Sequence, residues 1–353
     1  MNNYTKLDKI LNEQFLGNNS LSEYLYKRII SKGNIKKNNI SSKNFVFITG
    51  LARAGTTAIL NQLYNSRQFS SLLYKHMPFI LSPRLAKISS NLVKKETIKK
   101  QRLHGDGLMI NYASPECLDE IFWIKSQKDY YKKNLNVEDK IDLTFLNGYE
   151  YLLTSYSNSQ DGKRIIIKNN NNHIRIKYLT NYFRKSIFLI IFRNPIFHSY
   201  SLLKTHKRFC KLQEKDPYIL EYMNLIGHRE FGLGLKIFHY KNTNNMIKYK
   251  PSSINFWLQQ WINCYNWILS NKLYKKSNVK LINYEKLCLE DNNLRELYDL
   301  LQIKIHNKNE LTLKNKLSNE GINDLNIDPS LKNLSMCIYS NLKKFNFKID
   351  KPS

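Results

Sequence analysis

Five cysteines, Cys117, Cys210, Cys264, Cys288 and Cys337, are scattered along 353 residues without a C-x-x-C pair. An odd, unspaced set argues against a disulfide framework and a zinc site. Acidic residues are also few, 28 against 56 Lys and Arg, and the net charge is +28. Such a balance points to an anionic partner. It equally fits a coding bias towards A and T, because Lys, Asn and Ile abound everywhere and the charge is spread along the chain. No nucleic-acid reading motif accompanies it, so no nucleic-acid partner is expected. No run approaches the ~20 apolar residues of a membrane helix. The opening MNNYTKLDKILNEQF lacks the apolar centre of a secretory signal. With 42% hydrophobic residues, a soluble, intracellular, cytoplasmic protein with a sizeable core is expected.

What is present is an alternation of strand-like and helix-like segments. Residues 1–43 read as a helical or loosely ordered polar extension. Residues 44–49 are short, apolar and β-branched, as a buried strand should be. TTAILNQLY at 56–64 has helical spacing behind a good cap. Residues 70–74 are predicted as a second strand, closed by Lys75, His76, Met77 and Pro78. Ser114-Pro115-Glu116 is predicted as a helix start, with Glu116 at the positive end of the dipole. Residues 141–156 have helical periodicity. RIIIK at 164–168 is a short strand, and SIFLIIF at 186–192 a central strand buried on both faces. Over 254–269 the stripe Trp257, Trp261, Tyr265 and Ile268 reads as core. Residues 279–283 form a last strand, and a helix follows over 285–301. The tail, 313–353, is polar and weakly patterned. Strands alternating with helices predict a three-layer α/β fold over 44–312, a central, mostly parallel sheet flanked by helices.

Ligands of such a sheet bind at the carboxyl ends of its strands. Residues 45–57, FVFITGLARAGTT, are a strand, a glycine-rich loop and a helix start. Gly50 and Gly55 have G-x-x-x-x-G spacing, but Thr56-Thr57 stand where a triphosphatase has Lys-Ser/Thr. Loop amides, the Thr56 and Thr57 hydroxyls and Arg53 can hold an anion. Phosphoryl transfer uses the missing lysine and Mg²⁺ against several charges. A sulfuryl group carries one, so amides and a single cation suffice without a metal. The second anchor is RNPIFHSYSLLKTH at 193–206. Arg193 leaves a strand end, and Ser201 follows eight residues later on the next helix.

Together these segments resemble the sulfotransferases that use 3′-phosphoadenosine 5′-phosphosulfate (PAPS). The family loop, (L/Y)-P-(R/K)-(S/A)-G-T-T, stands here as LARAGTT, with Ala52 in place of the usual proline. Its Arg and Ser eight residues apart stand as Arg193 and Ser201. The resemblance spans roughly residues 44–290. It implies a P-loop-like sulfotransferase fold. Arg53, Ala54, Gly55, Thr56 and Thr57 would hold the 5′-phosphosulfate, and Arg193 and Ser201 the 3′-phosphate. Tyr284 would lie near the adenine. YKHMPFILSP, HGDGL, SPECLDEIFW, KNNNN and GHREFG look most like bacterial members and name no acceptor.

Sulfuryl transfer needs a base for the acceptor proton and a cation near the bridging oxygen. His76, beside the loop, is the first choice for the base. His104 and Asp106 in HGDGL, and Glu116, are the alternatives, although Glu116 also suits a helix start. Lys168 is the candidate to stabilise the leaving phosphate or orient the acceptor. His206, His228 and Glu230 rank lower. The expected reaction moves a sulfuryl group from PAPS to a hydroxyl acceptor, a glycan or lipid-linked sugar. The rivals are a P-loop kinase or triphosphatase, and a non-catalytic anion- or nucleic-acid-binding protein.

Overall fold

A computed structural model describes residues 4–35, 39–92, 99–105, 107–126, 135–137, 141–240, 248–289, 291–305, 313 and 325–347. In chain order the first half carries α1 (Lys6–Leu16), α2 (Ser20–Asn34), β1 (Val46–Thr49), α3 (Thr56–Asn65), β2 (Phe69–Ser70), α4 (Pro83–Leu92), β3 (Lys100–Gln101), β4 (Met109–Ile110), α5 (Glu120–Ser126) and β5 (Leu135–Val137). There follow α6 (Leu143–Asn158), β6 (Arg164–Lys168), α7 (Asn172–Tyr182), β7 (Ile187–Phe192), α8 (Pro195–Lys215), α9 (Pro217–Leu225), β8 (Phe238–Tyr240), α10 (Ile254–Ser270), β9 (Val279–Asn283), α11 (Tyr284–Leu289), α12 (Asp291–Leu300) and α13 (Pro329–Lys344).

The apolar strands assemble in the order β2-β6-β1-β7-β9, every pairing parallel. Side chains alternate across the sheet, as the period of two requires. Phe47, Ile165, Ile167, Phe188 and Ile190 enter a core with α2, α5, α6, α7, α10 and α13. Val46, Ile48, Ile166, Leu189 and Ile191 enter another, with α3, α11 and α12. Both faces are therefore covered, and the sheet's chemistry is left to the strand ends. The register sets Ile48 beside Lys168, so β1 and β6 end at the same level. A third, smaller cluster at that end joins Ala52, Leu202, Phe209, Phe231, Phe256 and Trp257. Trp257, Trp261 and Tyr265 are buried core residues.

Three expectations need correction. The second strand is only Phe69–Ser70, and Tyr74–His76 is a single 3₁₀ turn. No helix starts at Ser114. Pro115 bridges Leu73, Glu116 N–H donates to the Leu72 carbonyl at 3.1 Å, and α5 begins at Glu120. That cross-link holds the segment extended and frees the Glu116 side chain for the strand ends. The helix expected over 285–301 is described as α11 and α12 on either side of residue 290, which lies outside the described residues. The tail contains a capped helix, α13: Asp328 Oδ1 accepts from the Ser330 and Leu331 amides, and Pro329 stands in the first turn. Beyond it, Phe347 N–H donates to the Leu281 carbonyl at 2.8 Å. The extension before β1 is helical, and Leu16, Leu25, Tyr26 and Ile29 pack into the larger core.

Candidate active site

The loop after β1 is built to present amides. Gly55 precedes α3 at φ 100°, and the helix has no side-chain cap, so its first N–H groups are available to a ligand. A Cβ at Gly55 would overlap the ring of Tyr284. Arg53 adopts φ 71°, a conformation that side chains rarely take outside functional loops. Two neighbours fix the loop. Buried His198 donates from Nε2 to the Ala52 carbonyl at 2.7 Å, and burial keeps the ring neutral by lowering its pKa to about 3. Thr56 Oγ1 donates to Asn170 Oδ1 at 3.0 Å.

Arg193 and Ser201 meet the loop from α8. Asn194 caps that helix, and Pro195 stands in its first turn. Arg53 Nε donates to Ser201 Oγ at 3.2 Å, and Arg193 Nη1 donates to the Arg53 carbonyl at 3.3 Å. Arg193 Nε is buried without a hydrogen-bond partner, and its ion pair with Glu285 is 3.5 Å long. Its guanidinium lies over the Tyr284 ring, 5.9 Å from the centroid. The structure thus brings Arg53, Arg193, Ser201 and Tyr284 together.

A cleft of about 280 Å³ opens in front of the loop, near the lower end of small-ligand sites. Arg53, Gly55, Thr56, Thr57, Arg193 and Tyr284 line it. Lys168, Glu116, Arg102, His104, His228 and Glu230 line the same cleft. Glu116 is 6% exposed. Its Oε1 is 3.2 Å from Lys168 Nζ and its Oε2 is 3.2 Å from Arg102 Nη1. Tyr74 OH and the Cys117 amide also donate to it, at 3.1 and 2.8 Å. Burial alone would raise the Glu116 pKa, but Lys168 and Arg102 outweigh it and hold the carboxyl well below the usual range. Burial would lower the Lys168 pKa, yet Glu116 keeps it raised. Both stay charged, and counting Arg102 the cluster carries one positive charge in excess.

A protein-family model described as "Sulfotransferase family" matches residues 46–307. The chain belongs to that family. Membership implies sulfuryl transfer from PAPS, and the donor set fits such a co-substrate: loop amides, hydroxyls and two arginines in place of a Walker lysine. Among solved structures the sulfotransferase is similar to STF9 from Mycobacterium avium, at 13% identity and TM-score 0.54, over 97% of this chain and 85% of that one. It is also similar to STF1 from Mycobacterium tuberculosis H37Rv, at 12% identity and TM-score 0.49, over 87% of this chain and 80% of the other. At such identity the likeness to STF9 bears on the fold, an α/β sulfotransferase fold, and no further. No curated protein matches the sequence significantly.

Of the residues proposed for the sulfotransferase's chemistry, Lys168, Glu116 and His104 line the cleft. His76 does not. Its ring is buried against Tyr156, and its Nδ1 accepts from the Leu73 amide at 3.1 Å. Burial, with Lys75 nearby, lowers its pKa to about 3. Asp106 lies outside the described residues. His206 packs on Trp257, away from the cleft.

Sequence reasoning missed Arg102 and Asn170 and ranked His228 and Glu230 too low to use. Asn170 is the hinge of the site. Its Oδ1 accepts from Thr56, its carbonyl from Thr49 Oγ1 at 3.1 Å, and its Nδ2 donates to Glu230 Oε1 at 3.2 Å. The run KNNNN was the available signal, since polar residues at a buried strand end must find partners. Asn169 finds Asp119 and Glu120, at 3.0 and 2.8 Å. Arg175 grips Glu120 with two bonds of 2.8 and 2.6 Å. This buried network explains the DE of SPECLDEIFW and ties it to the strand end that carries Lys168.

Proposed function

We propose that this sulfotransferase moves the sulfuryl group of PAPS to a hydroxyl of a glycan or other sugar-like acceptor. One observation carries the reading: two arginines, Arg53 and Arg193, and a buried, net-positive Lys168–Glu116–Arg102 cluster line one cleft. In this reading the loop amides with Arg53, Ala54, Gly55, Thr56 and Thr57 hold the 5′-phosphosulfate. Arg193 and Ser201 take the 3′-phosphate, assisted by Arg53, and Tyr284 lies beside the adenine. Lys168 neutralises charge on the bridging oxygen as the S–O bond breaks. The acceptor oxygen attacks sulfur, its proton leaves to a base in the cleft, and the bond's electron pair stays on the phosphate. His104 and His228 are cleft candidates for the base, Glu116 being held ionised by Lys168 and Arg102, and the polar wall of Asn170, Glu230 and His228 suits a polyhydroxyl acceptor.

Calorimetric titration with adenosine 3′,5′-bisphosphate, and ³⁵S transfer from labelled PAPS to a glycan panel, test the proposal. Tight bisphosphate binding that weakens in Thr56→Ala and Ser201→Ala is expected. A protein that ignores the bisphosphate, or turns over ATP with Mg²⁺ instead, refutes it.

A further inference from the structure

GHREFG, residues 227–232, forms a turn after α9 that is fastened throughout. His228 N–H donates to the Met223 carbonyl at 2.9 Å, and Lys236 N–H to the Arg229 carbonyl at 2.8 Å. Gly232 N–H donates to His206 Nδ1 at 3.1 Å, and Leu233 N–H to Gln213 Oε1 at 2.6 Å. Gly227 and Gly232 have φ 74° and 83°, which favour glycine. Phe231 is buried in one cluster with Ala52 of the phosphate loop and Phe209 of α8. The turn is thereby held against the loop before any ligand binds, and two of its side chains, His228 and Glu230, line the cleft.

Each of them has one polar atom that no protein group engages among the described residues. His228 Nε2 meets the Cys117 carbonyl at 3.1 Å. A carbonyl only accepts, so Nε2 carries the proton and the neutral ring's lone pair is on Nδ1. Among the described residues no hydrogen bond engages that nitrogen. Glu230 Oε1 accepts from Asn170, while Oε2 is buried with no partner. A buried carboxylate oxygen calls for a donor. The other cleft bases are already committed: Glu116 is locked between Lys168 and Arg102, and His104 is packed edge-on against Phe209 and Phe231.

We infer that this turn activates the acceptor: His228 Nδ1 takes the proton of the attacking hydroxyl, and the Glu230 carboxylate accepts a hydrogen bond from the neighbouring hydroxyl. The inference rests on the sulfuryl-transfer reading and adds the acceptor class, a vicinal diol such as a sugar ring. The acceptor oxygen bonds to sulfur, the sulfur–oxygen bond to the 5′-phosphate breaks with its electron pair on the phosphate, and the proton ends on His228 as imidazolium. Glu116, Lys168, Arg102 and Glu230 share the cleft with that ring, Arg229 adjoins it in the chain, and Glu120 packs behind Gly227.

The test measures ³⁵S transfer from PAPS to 4-nitrophenyl β-galactoside and β-glucoside, with 4-nitrophenol as a single-hydroxyl control, alongside bisphosphate binding by calorimetry. The diols should be the better acceptors. His228→Gln should lower kcat by about 100-fold, leave bisphosphate Kd essentially unchanged and remove the acid limb of the pH–rate profile. Glu230→Gln should raise the diol KM about tenfold and alter kcat little, without changing the KM for 4-nitrophenol. Nitrogen-15 NMR of the neutral His228 ring should find its proton on Nε2. Intact bisphosphate binding with no transfer to the diols, an acid limb lost in Glu116→Gln but kept in His228→Gln, or a proton on Nδ1 overturns the inference and leaves the sulfotransferase reading standing. Absence of bisphosphate binding sinks that reading, and the inference with it.

Discussion

Lys168 is where stability and catalysis come apart. The buried cluster holds one carboxylate, Glu116, between two cations, Lys168 and Arg102, each 3.2 Å away. At an effective dielectric constant near 20, one such contact is worth about 5 kcal/mol of Coulomb attraction. Replacing Lys168 by Met removes that attraction. It also removes the desolvation of a buried ammonium and its repulsion from Arg102. A neutral Glu116–Arg102 pair remains, still bonded to Tyr74 and the Cys117 amide, so the net loss should be about 1–2 kcal/mol. Glu116→Gln is the opposite case. It leaves two buried cations facing each other and should cost about 3–5 kcal/mol. For activity, the role proposed for Lys168 at the breaking S–O bond predicts a kcat lower by about 10²–10³-fold. Urea denaturation of the two variants, and labelled PAPS turnover of Lys168→Met, measure these quantities. If Lys168→Met unfolds as easily as Glu116→Gln yet keeps its turnover, Lys168 is only a counter-ion and the reasoning fails.

Arg193→Ala should weaken adenosine 3′,5′-bisphosphate by roughly 10–100-fold, the worth of a charged hydrogen bond; adenosine 5′-phosphosulfate, which lacks the 3′-phosphate, should bind as before, and equal losses for both ligands would misplace the arginine. Gly55→Ala forces a side chain into φ 100° and against the Tyr284 ring. It should destabilise by about 2 kcal/mol or more and abolish calorimetric binding; normal binding would contradict the loop's role. Stability should also fall with acid. Burial lowers the pKa values of His76 and His198 to about 3 and of His173 to about 4. Unfolded histidines titrate near 6.5, so below that pH the unfolded chain binds protons that the folded chain refuses, and stability drops as pH falls. At pH 5 the loss is about 2 kcal/mol per histidine. Flat unfolding free energies between pH 7 and 5 would count against three buried, neutral rings.

Much of the sheet was legible because its physics is local. Short β-branched runs at 44–49, 164–168 and 186–192 need no partner to announce a buried strand, and Arg193-Asn194-Pro195 announces a helix start. The failures came where long-range contacts override propensity. Ser-Pro-Glu at 114–116 is a sound helix start by itself, but Leu72 and Leu73 capture its backbone. The polar tail hides α13, which earns its place by packing Ile338, Tyr339 and Leu342 into the larger core. His76, expected beside the loop, misses the cleft because the 3₁₀ turn buries its ring.

By itself the sequence determined the anion loop, the strand ends and the Arg193–Ser201 spacing, because a phosphate loop is a local arrangement of backbone and neighbouring side chains. Only the tertiary structure decided which far-apart residues share the cleft with it. Glu116, Lys168, Arg102 and His228 come from four separate stretches of chain, and their meeting depends on sheet order, register and the packing of Phe231 on Ala52. Those are cooperative outcomes of burying both faces of one parallel sheet, and no local spacing encodes them.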